Sequence, residues 1–320
     1  MISVLGAGAF GTAVAVSLAR NGGSVQLWAH DPAHVEALRQ ARENVLRLPG
    51  VPLPDNVEPI ERLDDVPPEA VILLAVPMQT LRHLLQDNAE HFLARTLVAC
   101  CKGMDLKTHV GPVQTISDCV PTAMPAILTG PSFAADIAHG LPTALTLACR
   151  DERVGKALQQ SLTTPNLRIY RTTDTIGAEL GGALKNVIAI ACGVVIGARL
   201  GDSARAALMT RGYAEMQRMA LRLGAKPETL AGLSGFGDLA LTCTSEGSRN
   251  FRFGLSLGQG EPFDTDVTVE GAATARAALA RARELGIEMP ITGAVTALLD
   301  GQVDVRQAMD MLLSRPLKDE

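Results

Sequence analysis

From residue 2 to about residue 170, short apolar runs alternate with longer amphipathic stretches. The β-branched and apolar runs predict seven strands: Ile2–Leu5, Ser24–Trp28, Ala70–Ala75, Thr96–Cys101, Ala126–Thr129, Thr143–Ala148 and Leu167–Tyr170. Between most of them, apolar residues recur every three to four positions and predict helices, for example Phe10–Arg20, Ala33–Arg42, Met78–His91 and Glu152–Leu162. This alternation favours βαβ units and a parallel sheet. The segment Pro49–Pro68 holds six prolines, and we interpret it as an irregular surface excursion.

The pattern changes after about residue 175, where Ala- and Leu-rich helical stretches follow one another with no convincing strand between them. The predicted helices are Thr175–Leu200, Ala204–Leu223, Thr268–Leu285 and Gly293–Asp300. We therefore predict two domains, an α/β domain over residues 1–176 and an all-helical domain over residues 177–320.

Composition and charge exclude several classes of protein. The 320 residues carry a net charge of −5 with Lys and Arg dispersed and only 3% aromatic residues, so no nucleic-acid partner is expected. Six cysteines without a CxxC pair favour a reducing, cytoplasmic compartment. Because a strand is predicted at the first residues, we expect no signal peptide. The run Val187–Ala198 is far shorter than the roughly 18–20 residues that span a bilayer, so we expect a buried helix and no transmembrane segment.

The first motif with chemistry is the glycine-rich stretch Gly6-Ala7-Gly8-Ala9-Phe10-Gly11, between the first predicted strand and an apolar helix. Glycines at these positions permit a tight turn and let the backbone approach a pyrophosphate, while the helix N-terminus supplies N–H groups and a positive dipole end. The context of strand, turn and helix favours dinucleotide binding over an ordinary glycine turn.

An acid follows the second predicted strand at Asp31, twenty residues after Gly11, where it could contact an adenosine ribose. A carboxylate there favours NAD over NADP, but the neighbouring His30 could donate to a ribose or a phosphate, so the cofactor preference stays open. His30 and His34 have i,i+4 spacing, yet without a further ligand cluster they predict no metal site.

Two more motifs follow predicted strands. Lys102-Gly103 is placed to point a cation at a substrate or cofactor, because ligands bind beyond the carboxyl ends of strands in an open α/β sheet. In Gly130-Pro131-Ser132-Phe133-Ala134, Gly130 would allow a close approach and Ser132 could cap the next helix. A solvated loop lysine and a plain helix cap are the alternatives.

The most informative motif is Glu179-Leu180-Gly181-Gly182-Ala183-Leu184-Lys185-Asn186, because it places a lysine inside a helix that is apolar on nearly every face. Burying Lys185 is costly unless the ammonium has a partner or a task. Gly181 and Gly182 lie one turn before it and leave space for a ligand. Snorkelling of the lysine along the helix is the alternative.

Two polar motifs in the second half complete the candidates. Gly235-Phe236-Gly237-Asp238 presents a loop carboxylate between glycines. Ser248-Arg249-Asn250 offers a hydroxyl, a guanidinium and an amide in succession, a compact receptor for phosphate or carboxylate.

Together these motifs resemble the bacterial-type NAD(P)-dependent sn-glycerol-3-phosphate dehydrogenases. The resemblance covers nearly the whole chain, through Gly6–Ala13, Lys102-Gly103, Gly130–Ala134, Glu179–Asn186, Gly235–Leu239, Ser248–Asn250 and Val269–Gly271. It implies a Rossmann-like N-terminal domain, an all-α C-terminal domain like that of 6-phosphogluconate dehydrogenase, and an oxidoreductase that reduces dihydroxyacetone phosphate with NADH or NADPH. The product, sn-glycerol 3-phosphate, serves glycerophospholipid synthesis, and a homodimer is possible.

The resemblance also assigns roles to residues. It implies that Lys185 transfers the proton. Substrate contacts are implied for Lys102, Gly130, Ser132, Lys185, Asp238, Ser248, Arg249 and Asn250. Cofactor contacts are implied or expected for Gly6, Gly8, Ala9, Phe10, Gly11, His30, Asp31, Lys102, Ala134, Arg249 and Glu270. Two alternatives stay open: a related two-domain dehydrogenase of another hydroxy acid or acyl substrate, and a dinucleotide sensor that has lost catalysis.

Overall fold

The computed structural model describes residues 1–264 and 267–314. The chain forms two compact units. The first holds Met1–Lys102 with Val110–Glu179, and the second holds Gly103–His109 with the chain from Leu180 onward. The predicted boundary lies at residue 176, whereas the units divide after Glu179, and the short segment Gly103–His109 groups with the second unit.

The first unit is built on a sheet of eight strands. These are β1 (Ile2–Leu5), β2 (Val25–Trp28), β5 (Val57–Ile60), β6 (Val71–Leu74), β7 (Thr96–Ala99), β8 (Met124–Thr129), β9 (Thr143–Cys149) and β10 (Leu167–Thr172). Their order across the sheet is β10-β9-β8-β7-β6-β1-β2-β5. A separate antiparallel pair joins β3 (Glu43–Asn44) and β4 (Leu48–Pro52). The seven predicted strands are all present; Ile2–Leu5 has the predicted ends, and the other six differ by one or two residues at an end.

Two expectations about this sheet are wrong. The segment Pro49–Pro68 is not wholly irregular, because Val57–Ile60 within it is the edge strand that pairs with β2. Pro59 fits there, since an edge strand tolerates a residue without a backbone donor. The sheet is also not purely parallel, because β8 and β9 run antiparallel. The alternation of strands and helices along the chain does not predict this reversal, because pairing direction is a tertiary property.

Helices cover both faces of the sheet. In the first unit they are α1 (Ala9–Arg20), α2 (Pro32–Ala41), α3 (Met78–Asp87), α4 (Pro112–Cys119), α5 (Ala134–Ala138) and α6 (Glu152–Leu162). Successive strand residues belong to two different buried clusters, Val4 to one and Leu5 to the other. Because side chains alternate across a strand, each face of the sheet has its own aliphatic core.

In the second unit, helices are the only regular secondary structure among the described residues. Its helices are α7 (Thr175–Gly197), which starts in the first unit, then α8 (Asp202–Arg222), α9 (Pro227–Ala231), α10 (Asp238–Thr244), α11 (Arg249–Gln259), α12 (Glu270–Leu285), α13 (Pro290–Leu299) and α14 (Val305–Leu313). This confirms the predicted fold class.

Helix α7 is long and apolar enough to cross a membrane, alone in this respect among residues 1–264 and 267–314. However, 89% of its most apolar window is buried inside the protein. A helix that is apolar all round and covered by protein is typical of a core helix.

A buried carboxyl joins the start of α7 to α4. The Glu179 Oε2 atom accepts the backbone N–H of Val113 at 2.6 Å. Gly111 leaves room for it, since a Cβ at that position would lie 2.1 Å from Glu179 Cδ. Burial raises the pKa of Glu179 to about 7, against the lowering effect of the Val113 and Gln114 amides and of the Arg150 charge.

This raised pKa predicts a pH dependence of stability. Between pH 4.5 and about 7 the carboxyl of Glu179 ionises in the unfolded chain while the folded protein keeps its proton, so stability falls as pH rises through this window. The loss reaches about 3 kcal/mol above pH 7. In Glu179→Gln this loss is absent. We therefore expect denaturation curves of the variant and the wild type to diverge with rising pH.

The matched control is Glu152→Gln, an exposed position at the start of helix α6 in the same unit. Its curves should stay parallel to those of the wild type. Parallel curves for Glu179→Gln as well would show that the Glu179 carboxyl has no special protonation equilibrium.

Candidate active site

The glycine-rich loop after β1 is shaped by contacts that tolerate no side chain. Gly6 has a φ of +121°, and a Cβ there would lie 2.5 Å from the Ala75 carbonyl oxygen at the end of β6. A Cβ on Gly11 would lie 2.0 Å from the Gly6 carbonyl oxygen. At Gly8, by contrast, a Cβ would meet nothing within 4 Å. The loop is therefore packed tightly against the sheet on one side and open on the other.

Helix α1 follows the loop at Ala9 and Phe10, and no side chain caps it at Gly8. The first amides of a helix have no partner within the helix itself, so this N-terminus can bind an anion. His30 and Asp31 lie after β2, the strand next to β1, and both are exposed. The Asp31 carboxylate accepts the Ala33 amide at 3.0 Å and so caps α2.

Lys102 and Gly130 come together beyond β7 and β8, whose parallel pairing puts their carboxyl ends at one edge of the sheet. The Lys102 Nζ donates to the Gly130 carbonyl oxygen at 3.0 Å. Gly130 has a φ of +140°, a conformation that favours glycine. The expectation that Ser132 caps the next helix is wrong. Phe133 is the N-cap of α5, and the Ser132 hydroxyl donates to the Gly130 carbonyl at 3.2 Å, while Ala134 begins the helix.

In the second unit, Lys185 lies on α7 with only 6% of its surface exposed. Its Nζ donates to Asp238 Oδ1 at 2.8 Å and to Thr242 Oγ1 at 2.7 Å. Asp238 is 1% exposed, so the ion pair is fully desolvated. A buried ammonium needs such partners, because an uncompensated charge in an apolar interior is strongly destabilising. Lys185 therefore does not snorkel to solvent; its charge is held inside the unit.

Thr242 belongs to this cluster although no sequence motif points to it. Its hydroxyl accepts from Lys185 and donates to the Asp238 carbonyl oxygen at 2.6 Å, with Asp238 Oδ1 at 3.3 Å. The spacing of four residues from Asp238 puts both side chains on one face of α10. That spacing is a signal, but it becomes informative only once α10 is known to be a helix.

Close backbone contacts bring Asp238 to Lys185. A Cβ on Gly181, one turn before Lys185, would lie 2.5 Å from the Ser234 carbonyl oxygen. A Cβ on Gly235 would lie 2.0 Å from the Leu230 carbonyl oxygen. Gly181 thus allows close packing of α7 against the turn at Ser234, whereas its position in the motif predicts space for a ligand.

A second set of glycines places α11 against α7. A Cβ on Gly193 would lie 2.1 Å from the Phe251 carbonyl oxygen, and one on Gly254 would lie 2.0 Å from the Ile190 carbonyl oxygen. One turn further on, Gly197 and Gly258 make the same kind of contact. The two helices therefore cross backbone to backbone, which fixes the start of α11 relative to Lys185.

The start of α11 carries the motif Ser248-Arg249-Asn250. The Ser248 hydroxyl caps the helix by accepting the Phe251 amide at 3.2 Å. Arg249 is exposed at the first helical position. Asn250 Oδ1 accepts the Gly271 amide at 2.9 Å, which ties this end of α11 to the first turn of α12, where Glu270 lies.

Two buried cysteines lack the properties of a catalytic nucleophile. Burial raises the pKa of the Cys100 thiol to about 12 and, with the neighbouring Cys192, raises the pKa of the Cys243 thiol well above its ordinary value. Neither thiol is a ready nucleophile, since the thiolate is the reactive form. Over residues 1–264 and 267–314, no three His, Cys, Asp or Glu side chains are grouped to hold a metal ion.

Comparison with known proteins then identifies the family. The pattern described as NAD-dependent glycerol-3-phosphate dehydrogenase N-terminus matches residues 1–155, and the corresponding C-terminus pattern matches residues 174–310. The chain is 63% identical over 319 residues to a protein of Ruegeria sp. (strain TM1040) named glycerol-3-phosphate dehydrogenase [NAD(P)+], covering 100% of this chain and 99% of that one. The chain belongs to the NAD-dependent glycerol-3-phosphate dehydrogenase family.

Solved structures of such dehydrogenases share the fold. The glycerol-3-phosphate dehydrogenase of Coxiella burnetii is 36% identical, with a TM-score of 0.92 over 98% of each chain. The enzyme of Saccharomyces cerevisiae is only 23% identical and supports the fold alone, with a TM-score of 0.83 over 97% of this chain and 98% of that chain. The family is one of NAD(P)-dependent oxidoreductases, which agrees with the predicted enzyme class and cofactor.

The residues of the first unit fit the dinucleotide that this dehydrogenase family uses. The open side of the loop at Gly8 and the uncapped start of α1 are what a pyrophosphate requires. Asp31 lies after β2, the position of the acid that contacts an adenosine ribose in Rossmann folds.

The contact between α7 and α11 yields a prediction. In Gly193→Ala the new Cβ would overlap the backbone of Phe251, so the two helices must separate. We expect a loss of about 1–3 kcal/mol in the free energy of unfolding, measured by denaturant titration.

The matched control is Gly293→Ala on α13, where a Cβ would meet only Leu279 Cδ1 at 3.9 Å. That variant should be neutral or up to about 1 kcal/mol more stable, because alanine is the better helix former. Equal stability of the two variants would contradict the role assigned to the helix crossing.

Proposed function

We propose that this protein catalyses reversible hydride transfer between NAD(P)H and dihydroxyacetone phosphate, with Lys185 as the residue that donates the proton. The observation that carries the proposal is the desolvated ammonium of Lys185, held by Asp238 and Thr242 in a chain of the glycerol-3-phosphate dehydrogenase family.

The chemistry follows from what each group can do. When bound, the reduced nicotinamide supplies a hydride to the ketone carbon. Negative charge then grows on the ketone oxygen, and a positioned ammonium both stabilises that charge and delivers a proton to it. Lys185 is suited to this because its two short hydrogen bonds fix Nζ in a low-dielectric interior. In the reverse direction, neutral Lys185 accepts the proton of the hydroxyl group.

Asp238 and Thr242 make the lysine usable as an acid. The carboxylate of Asp238 stabilises the ammonium form before proton transfer, and the Thr242 hydroxyl orients Nζ without adding charge. Because Thr242 also donates to the Asp238 backbone, the three groups act as one rigid unit.

The phosphate group of the substrate is assigned to the start of α11. Arg249 places a guanidinium at a helix N-terminus, so the side chain and the helix dipole attract the same anion. The Ser248 hydroxyl accepts the capping bond with an oxygen lone pair, which leaves its proton for a phosphate oxygen. Binding energy from this remote group helps to align the carbonyl for reaction.

The remaining assignments are part of the same proposal. Asn250, together with Lys102, Gly130 and Ser132, is assigned to the substrate. Gly6, Gly8, Ala9, Phe10, Gly11, His30, Asp31, Lys102, Ala134, Arg249 and Glu270 are assigned to the cofactor. We further propose that the enzyme is cytoplasmic, because its six cysteines are free. We also propose a homodimer, which light scattering of the purified protein would test.

The direct test follows absorbance at the reduced-nicotinamide band with dihydroxyacetone phosphate, using NADH and NADPH in turn. We expect oxidation that depends on the ketone, and the ratio of the two rates gives the cofactor preference. Cofactor binding without ketone-dependent oxidation would instead support a dinucleotide sensor, and activity only with another hydroxy or acyl substrate would support a related dehydrogenase.

The role of Lys185 gives a sharper prediction. In Lys185→Ala, kcat should fall by about a hundredfold to ten-thousandfold, because general acid catalysis is lost. The Kd for NADH, measured by fluorescence titration, should change by less than about twofold. Lys156→Ala, which removes an exposed lysine from α6, should keep the wild-type kcat. Wild-type turnover in Lys185→Ala would refute the assignment.

A further inference from the structure

A buried amide lies beside the glycine-rich loop, at a position that the sequence motifs do not include. Asn44 ends the short strand β3 and is 1% exposed. Its Nδ2 donates to the Ala7 carbonyl oxygen at 2.9 Å and to Thr12 Oγ1 at 2.7 Å. Its Oδ1 lies 3.1 Å from His34 Nε2 and accepts the Arg47 amide at 3.2 Å.

These four contacts use the whole hydrogen-bonding capacity of the side chain. An asparagine amide has two N–H donors and one oxygen with two lone pairs. The orientation of the amide is fixed by Ala7, because a backbone carbonyl only accepts and would repel Oδ1. Since Oδ1 accepts, His34 donates from Nε2. A buried polar group satisfied in this way holds its neighbours in one arrangement.

The neighbours of Asn44 belong to two separate parts of the nucleotide-binding region. Ala7 is part of the glycine-rich loop, and Thr12 lies in the first turn of α1. His34 lies on α2, one turn beyond the cap residue Asp31. Asn44 is therefore a direct link between the loop assigned to the pyrophosphate and the helix whose start is assigned to the adenosine ribose.

We propose that Asn44 is a positioning residue for the dinucleotide: it holds the glycine-rich loop and the start of α2 at the separation that the adenosine end of NAD(P)H requires. This inference rests on the proposed function, because it assumes that the first unit binds the cofactor. Asn44 touches neither reacting atom, so its loss should weaken cofactor binding and spare the chemical step. Binding to a preorganised site avoids the cost of ordering the loop, and that advantage disappears with the amide.

The test measures binding apart from turnover. The Kd for NADH is obtained by fluorescence titration, and the Kd for ADP-ribose, which lacks the nicotinamide, is obtained by calorimetry. In Asn44→Ala both constants should rise by roughly tenfold to a hundredfold, because buried donors and acceptors lose their partner. At saturating NADH, kcat and the KM for dihydroxyacetone phosphate should stay within about twofold of wild type.

Asn56→Ala is the matched control. Asn56 Nδ2 also donates to two oxygen atoms, the carbonyls of Ala19 and Gly23, at 2.8 Å each. These contacts lie at the C-terminal end of α1, away from the glycine-rich loop. The control should lose some thermal stability and keep the wild-type Kd for both ligands.

Two milder variants cover the case in which Asn44→Ala fails to fold. Thr12→Val keeps the volume of the side chain and removes the acceptor for Nδ2, and Thr12→Ser keeps that acceptor. We expect a raised Kd for NADH and ADP-ribose in Thr12→Val and a nearly normal Kd in Thr12→Ser.

The possible outcomes separate the two proposals. A wild-type protein that binds neither NADH nor ADP-ribose overturns both the proposed function and the role of Asn44. If the wild type binds both ligands, an unchanged Kd in Asn44→Ala or in Thr12→Val overturns the positioning role alone. An equal rise in Asn56→Ala also overturns it, since the effect would then be a general loss of stability.

Discussion

A lysine ammonium buried in an apolar helix constrains how the neighbouring helices pack. Asp238 and Thr242 reach Lys185 from α10 and supply partners that a buried charge needs. Bringing α10 so close requires bare backbone at Gly181 and Gly235, where any side chain would collide with a carbonyl oxygen. The crossing of α7 and α11 also depends on glycines at the contact. It fixes the position of the start of α11, where Arg249 lies, relative to α7. Glycines at helix contacts thus help to set where the charged groups of this unit lie.

Close backbone contacts at glycines also shape the first unit. Its parallel strands bring the glycine-rich loop, Lys102 and Gly130 to one edge of the sheet, because their strands end there. Between β1 and α1, Gly6, Ala7 and Gly8 offer a ligand little besides backbone, so the shape of this turn depends on what packs around it. Gly6 packs against the carbonyl group of Ala75, and Asn44 donates a hydrogen bond to the carbonyl oxygen of Ala7. The two units therefore differ in what their described side chains and backbone offer: the first has the uncapped start of α1, and the second has the buried ion pair of Lys185 and Asp238.

Much of this could be predicted from the sequence, for reasons that are local. Some signals can be recognised before the fold is known: a lysine within an apolar helical run, and glycines between a strand and a helix. Thr242 and Asn44 were not found, because a lone threonine or asparagine gains meaning only from partners distant in sequence. Asn44 makes a bond to Ala7, 37 residues away. The antiparallel pairing of β8 with β9 and the edge strand at Val57–Ile60 were missed for the same reason, since pairing direction is a tertiary property. Ser132 does not cap α5 because the helix begins at Ala134, one residue later than a cap at Ser132 requires.

The central claim is that Lys185 acts by donating a proton and not only by its charge. Chemical rescue of Lys185→Ala tests this most directly, because n-propylamine replaces the three carbons and the nitrogen that the substitution removes. The account predicts that n-propylammonium restores ketone-dependent oxidation of the reduced cofactor in proportion to its concentration. Tetramethylammonium, which has the same charge but no N–H, should restore nothing. Equal rescue by both cations, or full activity of the variant without either, would contradict the account.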